Sequence, residues 1–309
     1  MQPCPATSLV IANELLEVEI APPEHYPGTR FGKGAFITQV TYRSQGNTHT
    51  FCTNELENDG AEHPFEGGSG LCHEFGITEA VGYHDAQVGD WFPKFDTGLL
   101  RRDNPAKYEF YENFEIRPYP ITVEQDEQEL RFVSQPVESR GYAARSEQKL
   151  RLVQNRLHIA SRLENCGSKL IHTDEYRHNF LAFDGRGPES GVCLRVPFEL
   201  DADINEKEMA TGCRKNGFSE ICWNQPPTEP FFQKFHPSDA ATWWELEWPG
   251  AGIGIREEVS RPMSAFHLFS TARLISPEAF INIELQPGEV LDWERIYTFY
   301  PINPITSHL

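Results

Sequence analysis

Thr173-Asp174-Glu175-Tyr176-Arg177-His178-Asn179-Phe180-Leu181-Ala182-Phe183-Asp184 is the stretch on which the reading of the fold turns. It follows a strand-like run over residues 157–164 and a turn signal at Asn165-Cys166-Gly167-Ser168. In an extended segment alternate side chains face opposite ways, so Tyr176, His178, Phe180 and Ala182 share one face. Glu175, Arg177, Asn179 and Leu181 share the other. An imidazole between two aromatic rings therefore lies on a half-buried surface, backed by ionic groups. A core histidine hydrogen-bonded to backbone is the plainer alternative, because one His is a weak motif by itself.

The same alternation extends in both directions. Residues 9–20 read as two short strands around Asn13-Glu14, and a glycine-punctuated loop at 26–34 feeds a strand running to Tyr42. Those glycines do not make a nucleotide loop, since neither a GKT/GKS sequence nor a helix follows. Residues 108–111, 121–123, 130–133 and 143–153 are further strand candidates leading up to 157–164. Residues 193–200, 242–248, 252–257, 266–271, 274–280, 281–285 and 291–300 continue the series toward the C-terminus. Strands at this spacing, joined by turn residues and interrupted by no amphipathic helix, predict an antiparallel sheet or sandwich. No linker, repeat or low-complexity tract divides the chain, so one domain is expected over 1–309.

Composition narrows the function classes. A net charge of −19 repels nucleic acid and anionic membranes, and no basic cluster interleaved with aromatics offsets it. Seven cysteines, scattered and without a CxxC, predict neither a disulfide framework nor a zinc knuckle but buried free thiols in a reducing cytoplasm. The N-terminus lacks the pattern of a signal peptide, and no apolar run approaches the ~20 residues that span a bilayer. The irregular region at 54–105 has the length of a functional loop. It carries His63, His73 and His84 among several carboxylates, without HxH, HxxxH or HExxH spacing, so no metal is expected.

Taken together, Gly28-Thr29-Arg30-Phe31, Gly34-Ala35-Phe36-Ile37, Glu74-Phe75-Gly76, residues 175–181, Ser276-Pro277-Glu278-Ala279-Phe280 and the Pro287-Gly288-Glu289 turn before Trp293 and Tyr297 form an ordered set. In that order the chain resembles the galactose mutarotase (aldose 1-epimerase) superfamily, within an epimerase-like branch. The resemblance implies an all-β fold, a large antiparallel β supersandwich with a sugar cleft on its concave face. It also implies a general acid at His178 and a general base at Glu278. Three departures stand out. The NHxYFNL form is replaced by Tyr176-Arg177-His178-Asn179-Phe180. The segment supplying a second histidine is absent unless His63 or His73 substitutes. Glu278 lies between Pro277 and Ala279 where hexose-phosphate mutarotase-like relatives have a Val-Glu-Pro order.

Interconverting sugar anomers needs a proton removed from the C1 hydroxyl and one supplied to the ring oxygen. A carboxylate and an imidazolium on opposite sides of the sugar would do this without metal, nucleotide or other cofactor. A carboxylate near His178, such as Glu74, would favour its charged form. Arg30, Glu74, Lys94, Tyr176 and Trp91 are the candidate substrate-binding residues, with Trp293 as a further stacking surface. Arg177 should point away from His178. The expected partner is a small-molecule carbohydrate, with the protein cytoplasmic and a monomer or homodimer. Two other functions fit the same residues: a non-catalytic carbohydrate-binding protein, and a lyase or isomerase acting on a modified sugar.

Overall fold

The structure, a computed structural model, describes residues 8–53, 68–126, 128–200, 212–237 and 240–302. Among them are 22 strands and no helix. The first eight are β1 (Leu9–Ala12), β2 (Leu16–Ala21), β3 (Phe36–Ser44), β4 (Asn47–Thr50), β5 (Leu71–Phe75), β6 (Trp91–Lys94), β7 (Gly98–Arg101) and β8 (Ile116–Pro118). Next come β9 (Ile121–Gln125), β10 (Glu129–Ser134), β11 (Ala144–Val153), β12 (Arg156–Asn165), β13 (Ile171–Asn179), β14 (Cys193–Arg195), β15 (Cys213–Lys215) and β16 (Glu220–Trp223). The last are β17 (Phe231–Phe235), β18 (Trp243–Trp248), β19 (Ile253–Val259), β20 (Ala265–Ser270), β21 (Ile275–Leu285) and β22 (Val290–Pro301).

They form two large antiparallel sheets and a small third one. The nine-stranded sheet runs β1-β2-β3-β5-β13-β21-β20-β17, with β4 paired to β3. The ten-stranded sheet runs β15-β16-β14-β18-β19-β22-β12-β11-β10-β9. β6, β7 and β8 make the third. The hydrocarbon core lies between the two large sheets, with Val18, Ile37, Ile171, Ile281 and Leu268 from one meeting Leu150, Ile159, Ile255, Tyr297 and Phe299 from the other. The period-2 pattern puts them there: β12 alternates buried with less buried residues along its whole length. The stretch at 173–184 thus runs through β13, the central strand of its sheet, flanked by β5 and β21, and continues past the strand's end at Asn179.

The face carrying Glu175, Arg177 and Asn179 turns inward, toward the other sheet. Glu175 accepts a 2.7 Å bond from Arg295 on β22, whose guanidinium also holds Glu257 at 2.6 Å. Arg177 bonds Gln148 on β11 and the Leu71 carbonyl, and Asn179 accepts from the Tyr297 hydroxyl at 2.9 Å. The ionic side of the strand is therefore part of the sandwich interior. Each of these side chains is hydrogen-bonded, as burial requires, although the Nε atoms of Arg177 and Arg295 have no partner among the described residues.

Three expectations are corrected here. Residues 108–111 form a loop and no strand, because Tyr108 is drawn into an aromatic cluster with Tyr83, Phe92 and Phe114. The 274–280 and 281–285 runs are one strand, β21, passing straight through Pro277. Cys193 and Cys222 are no free thiols: they sit opposite each other on β14 and β16, Cα atoms 4.1 Å apart, and form a disulfide. Cys52 and Cys72 are buried thiols, while Cys166 is an exposed one. With one pair oxidised, the cysteines give no support to a reducing compartment. No helix of the described residues is long and apolar enough to cross a membrane.

Candidate active site

A cleft of about 610 Å³ opens on the other face of the nine-stranded sheet. His178 from β13, Glu278 from β21, His267 and Phe269 from β20, and Phe232 and Lys234 from β17 line its floor and one wall. Ile77, Thr78, Glu79 and His84, followed by 107–110, line the opposite side, with Arg30 between. Alternation sorts these strands cleanly. Phe266 and Leu268 enter the core while His267 and Phe269 reach the cleft, and on β17 Phe231 and Phe235 enter the core while Phe232 and Lys234 reach the cleft.

His178 and Glu278, a hundred positions apart in sequence, meet on the cleft floor. The imidazole Nε2 lies 3.2 Å from Glu278 Oε1. Ser276 joins them from the side, its Oγ 2.8 Å from His178 Nδ1 and 3.1 Å from Glu278 Oε1. The backbone makes room for this. Pairing of β13 with β21 is in register from Ile171/Leu285 to Glu175/Ile281, then lapses until an isolated bridge between Leu181 and Ile275. Pro277, which has no N–H to give, falls inside the gap. Side chains fill the missing ladder there: Asn179 N–H donates to Ser276 Oγ at 3.0 Å, the Asn179 amide to the Pro277 carbonyl at 2.6 Å, and Arg295 to the Ala279 carbonyl at 2.9 Å.

The surroundings of His178 are mostly hydrocarbon. Phe180 stacks flat on its ring at 3.9 Å, and Phe31 and Phe269 present edges at 6.0 Å. Burial, reinforced by the positive charge of Arg30, holds its pKa well below the usual imidazole value. At neutral pH His178 is uncharged. This reverses the expectation of an imidazolium sustained by a neighbouring Glu74.

Glu74 is instead the centre of a buried ionic cluster beneath the floor. Its Oε2 accepts from Arg30 Nε at 2.9 Å and from the Tyr176 hydroxyl at 2.7 Å, and its Oε1 from Lys94 at 2.9 Å. Arg30 also donates to the Tyr176 oxygen at 2.9 Å. Burial alone would raise the Glu74 pKa, but Lys94 and Arg30 outweigh it and hold the group below its ordinary value. Lys94 also reaches the Gly76 carbonyl at 3.1 Å, a close approach that follows a left-handed turn at Gly76. A Cβ there would come within 2.5 Å of the Glu79 carbonyl oxygen.

Of the five expected substrate-binding residues, only Arg30 lines the cleft. Glu74, Lys94 and Tyr176 are fully enclosed beneath it, their polar atoms spent on one another, and Phe280 stacks on the Tyr176 ring at 4.2 Å. Trp91 belongs to the small third sheet, its indole covered by the Arg117 guanidinium at 3.9 Å. Trp293 packs edge-on against Phe75 in the core. His73 does not supply a second cleft histidine: it points to the interior, 2.7 Å from Asp96, with Gly32 pressed so close that a Cβ would overlap the ring. His63 lies outside the described residues.

The second histidine beside Glu278 is His267, paired in register with it. Its Nδ1 is 3.9 Å from Glu278 Oε2, its ring lies against Phe280 at 4.2 Å, and Phe232 meets it edge-on at 5.2 Å. Burial, with Lys234 and His236 adding positive charge, pushes its pKa down to about 4. The alternating run at 266–271 gave the strand and its faces, which was the only available signal for this residue. Ser276, the first residue of the 276–280 segment, was given no role by it.

No protein-family model matches the sequence, and no curated protein sequence matches it. Solved structures do match in fold. The Slr1438 protein of Synechocystis sp. PCC 6803 superposes with a TM-score of 0.61 at 13% identity, over 97% of this chain and 98% of that one. A galactose mutarotase-like protein from Clostridium acetobutylicum gives 0.60 at 11% identity, over 96% and 95%. The GalM/aldose epimerase homologue from C. elegans gives 0.57 at 11%, over 96% and 99%. The chain has the all-β, galactose mutarotase-like fold.

Proposed function

We propose that this protein is an aldose 1-epimerase-like enzyme that interconverts the anomers of a small carbohydrate, with His178 and Glu278 as its acid–base pair. The observation that carries the reading is their 3.2 Å contact on the floor of a cleft large enough for a sugar ring. The fold shared with galactose mutarotase-like and aldose epimerase structures supports it at a coarser level.

The two groups are adjacent, so they serve the sugar from one side. That suits the reaction, because the C1 hydroxyl and the ring oxygen are bonded to the same carbon. Glu278 takes the O1 proton as the C1–O5 bond breaks, its electron pair passing to O5, and a carbonyl forms at C1. His178, neutral, gives its Nε2 proton to O5. The proton now on Glu278 passes across the short gap to Nε2, and both groups return to their starting states. Rotation about C1–C2 and reversal of these steps closes the other anomer. A neutral imidazole is suited to stabilising developing negative charge on an oxygen when its environment excludes the imidazolium. Arg30 supplies a fixed positive charge at the same floor. Phe110, Phe232 and Phe269 offer apolar surface to a sugar face.

NMR exchange spectroscopy on a panel of aldoses tests the proposal. Anomer exchange should be accelerated by the wild type and lost in both His178→Ala and Glu278→Ala. Saturable binding of a sugar without acceleration would favour a carbohydrate-binding protein. An ultraviolet-absorbing unsaturated product would favour a lyase.

A further inference from the structure

We infer that the cleft takes a reducing disaccharide, with the anomeric carbon of its reducing unit at His178 and Glu278 and its second ring in a subsite made by Phe232 and Lys234. Which end of the ligand lies at the acid–base pair rests on the anomer-exchange reading above. The subsite itself follows from the register of three strands.

β21, β20 and β17 are neighbours, and β17 is the last strand on that side of the sheet among the described residues. Ser276 pairs with Phe269, and Phe269 with Phe232. Glu278 pairs with His267, and His267 with Lys234. Side chains in register on one face of a sheet stand side by side. Two rows therefore leave the acid–base pair and cross the cleft toward the sheet edge. One is apolar, Phe269 and then Phe232; the other is polar, His267 and then Lys234. Each spans two strand spacings, about 10 Å. A single pyranose held at His178 and Glu278 covers the first step, at Phe269 and His267, and leaves the second step free.

That second step is built like the ligand it would receive. Phe232 is 47% exposed, standing edge-on to His267 at 5.2 Å. The Lys234 ammonium lies 5.7 Å from the centre of the same ring, so apolar surface and a multiple hydrogen-bond donor adjoin. A sugar ring has C–H groups on its faces and hydroxyls around its rim, and it can lie on the phenyl while its rim meets the ammonium. Ile77 and Phe110 bound the cleft on the opposite side. Its volume of about 610 Å³ is of the size that encloses a ligand larger than one pyranose. The chemistry is compatible with the longer ligand. Only the C1–O5 bond of the reducing unit opens and recloses; the glycosidic bond, made through another oxygen of that unit, is left intact.

The test compares glucose with maltose, cellobiose and lactose, which share a reducing glucose and differ only in what is attached to it. Exchange spectroscopy on the full chain gives kcat/KM for anomer exchange, and calorimetry gives affinity. At least one disaccharide should exceed glucose about tenfold in kcat/KM, the gain expected from seating a second ring on an aromatic face. That gain should vanish in Phe232→Ala, persist in Phe232→Trp and shrink in Lys234→Met. Equal values for glucose and all three disaccharides would overturn the inference. So would a gain that survives Phe232→Ala, or a wild type that binds none of the four sugars. If glucose exchange is accelerated and lost in Glu278→Ala while no disaccharide is preferred, the enzymatic reading stands and the subsite falls. If a disaccharide binds more tightly than glucose through Phe232 but no anomer exchanges faster, the subsite stands and the enzymatic reading falls.

Discussion

His267 gives the structure a measurable sensitivity to acid. Its side chain is enclosed between Phe280 and Phe232, and its pKa falls from the ordinary 6.5 to about 4. Below pH 6.5 the unfolded chain binds a proton at this position that the folded chain refuses, so stability is complete above that value and declines as the pH falls toward 4. At about 1.4 kcal/mol per unit, lowering the pH from 7.5 to 5.0 should cost roughly 2 kcal/mol from this residue alone, or about 30-fold in the unfolding equilibrium. The charged and titratable groups around it are Glu278, Lys234 and His236. Urea unfolding of the wild type and His267→Gln at both pH values isolates the effect, because carboxylates that titrate over the same range cancel in the difference. The wild type should lose about 2 kcal/mol more than the variant across this interval. Parallel pH dependences would refute the reasoning, and so would a His267 ring titration by NMR near 6.5.

Other substitutions test other parts of the structure. Glu278→Gln should lower the rate of anomer exchange by about 10²- to 10⁴-fold, measured by exchange spectroscopy, since the amide cannot take the O1 proton. Arg295→Met should destabilise the fold by about 3–5 kcal/mol in urea titrations, because it strands Glu175 and Glu257 without their shared cation. Arg30→Met should raise the His178 pKa, followed by NMR, by removing the positive charge that helps hold it down. Reducing the Cys193–Cys222 bond, which closes a loop of 29 residues, should lower the unfolding free energy by about 3–4 kcal/mol, seen as a lower thermal midpoint with dithiothreitol.

Much of this architecture was legible in the order of the residues. The alternation at 173–184 correctly separated Tyr176 and His178 from Glu175, Arg177 and Asn179, and the ordered motifs brought His178 and Glu278 to one cleft. Alternation names two faces but not their surroundings, so it could not show that the row of charges on the far face is the interior. The same limit hid the roles of Glu74 and Lys94, whose partners are 20 to 102 positions apart. His267 could be placed on a strand, but its neighbour Glu278 follows only from the register of β20 with β21. Cys193 and Cys222 were lost to the same cause, because a pairing across β14 and β16 leaves no spacing pattern in the chain. Trp91 was legible as an aromatic residue, while the arginine that covers it arrives from another strand.

The fork-shaped cations that cross between the sheets have a mechanical consequence. Two layers of hydrocarbon in contact can slide by a fraction of a side chain at little cost, since dispersion is indifferent to direction. Arg295, gripping Glu175 and the Ala279 carbonyl on one layer and Glu257 on the other, resists such shear. The two strands that carry His178 and Glu278 are thereby riveted from behind to a common plate, and a gap of a few tenths of an ångström at the front is governed by bolts on the far side.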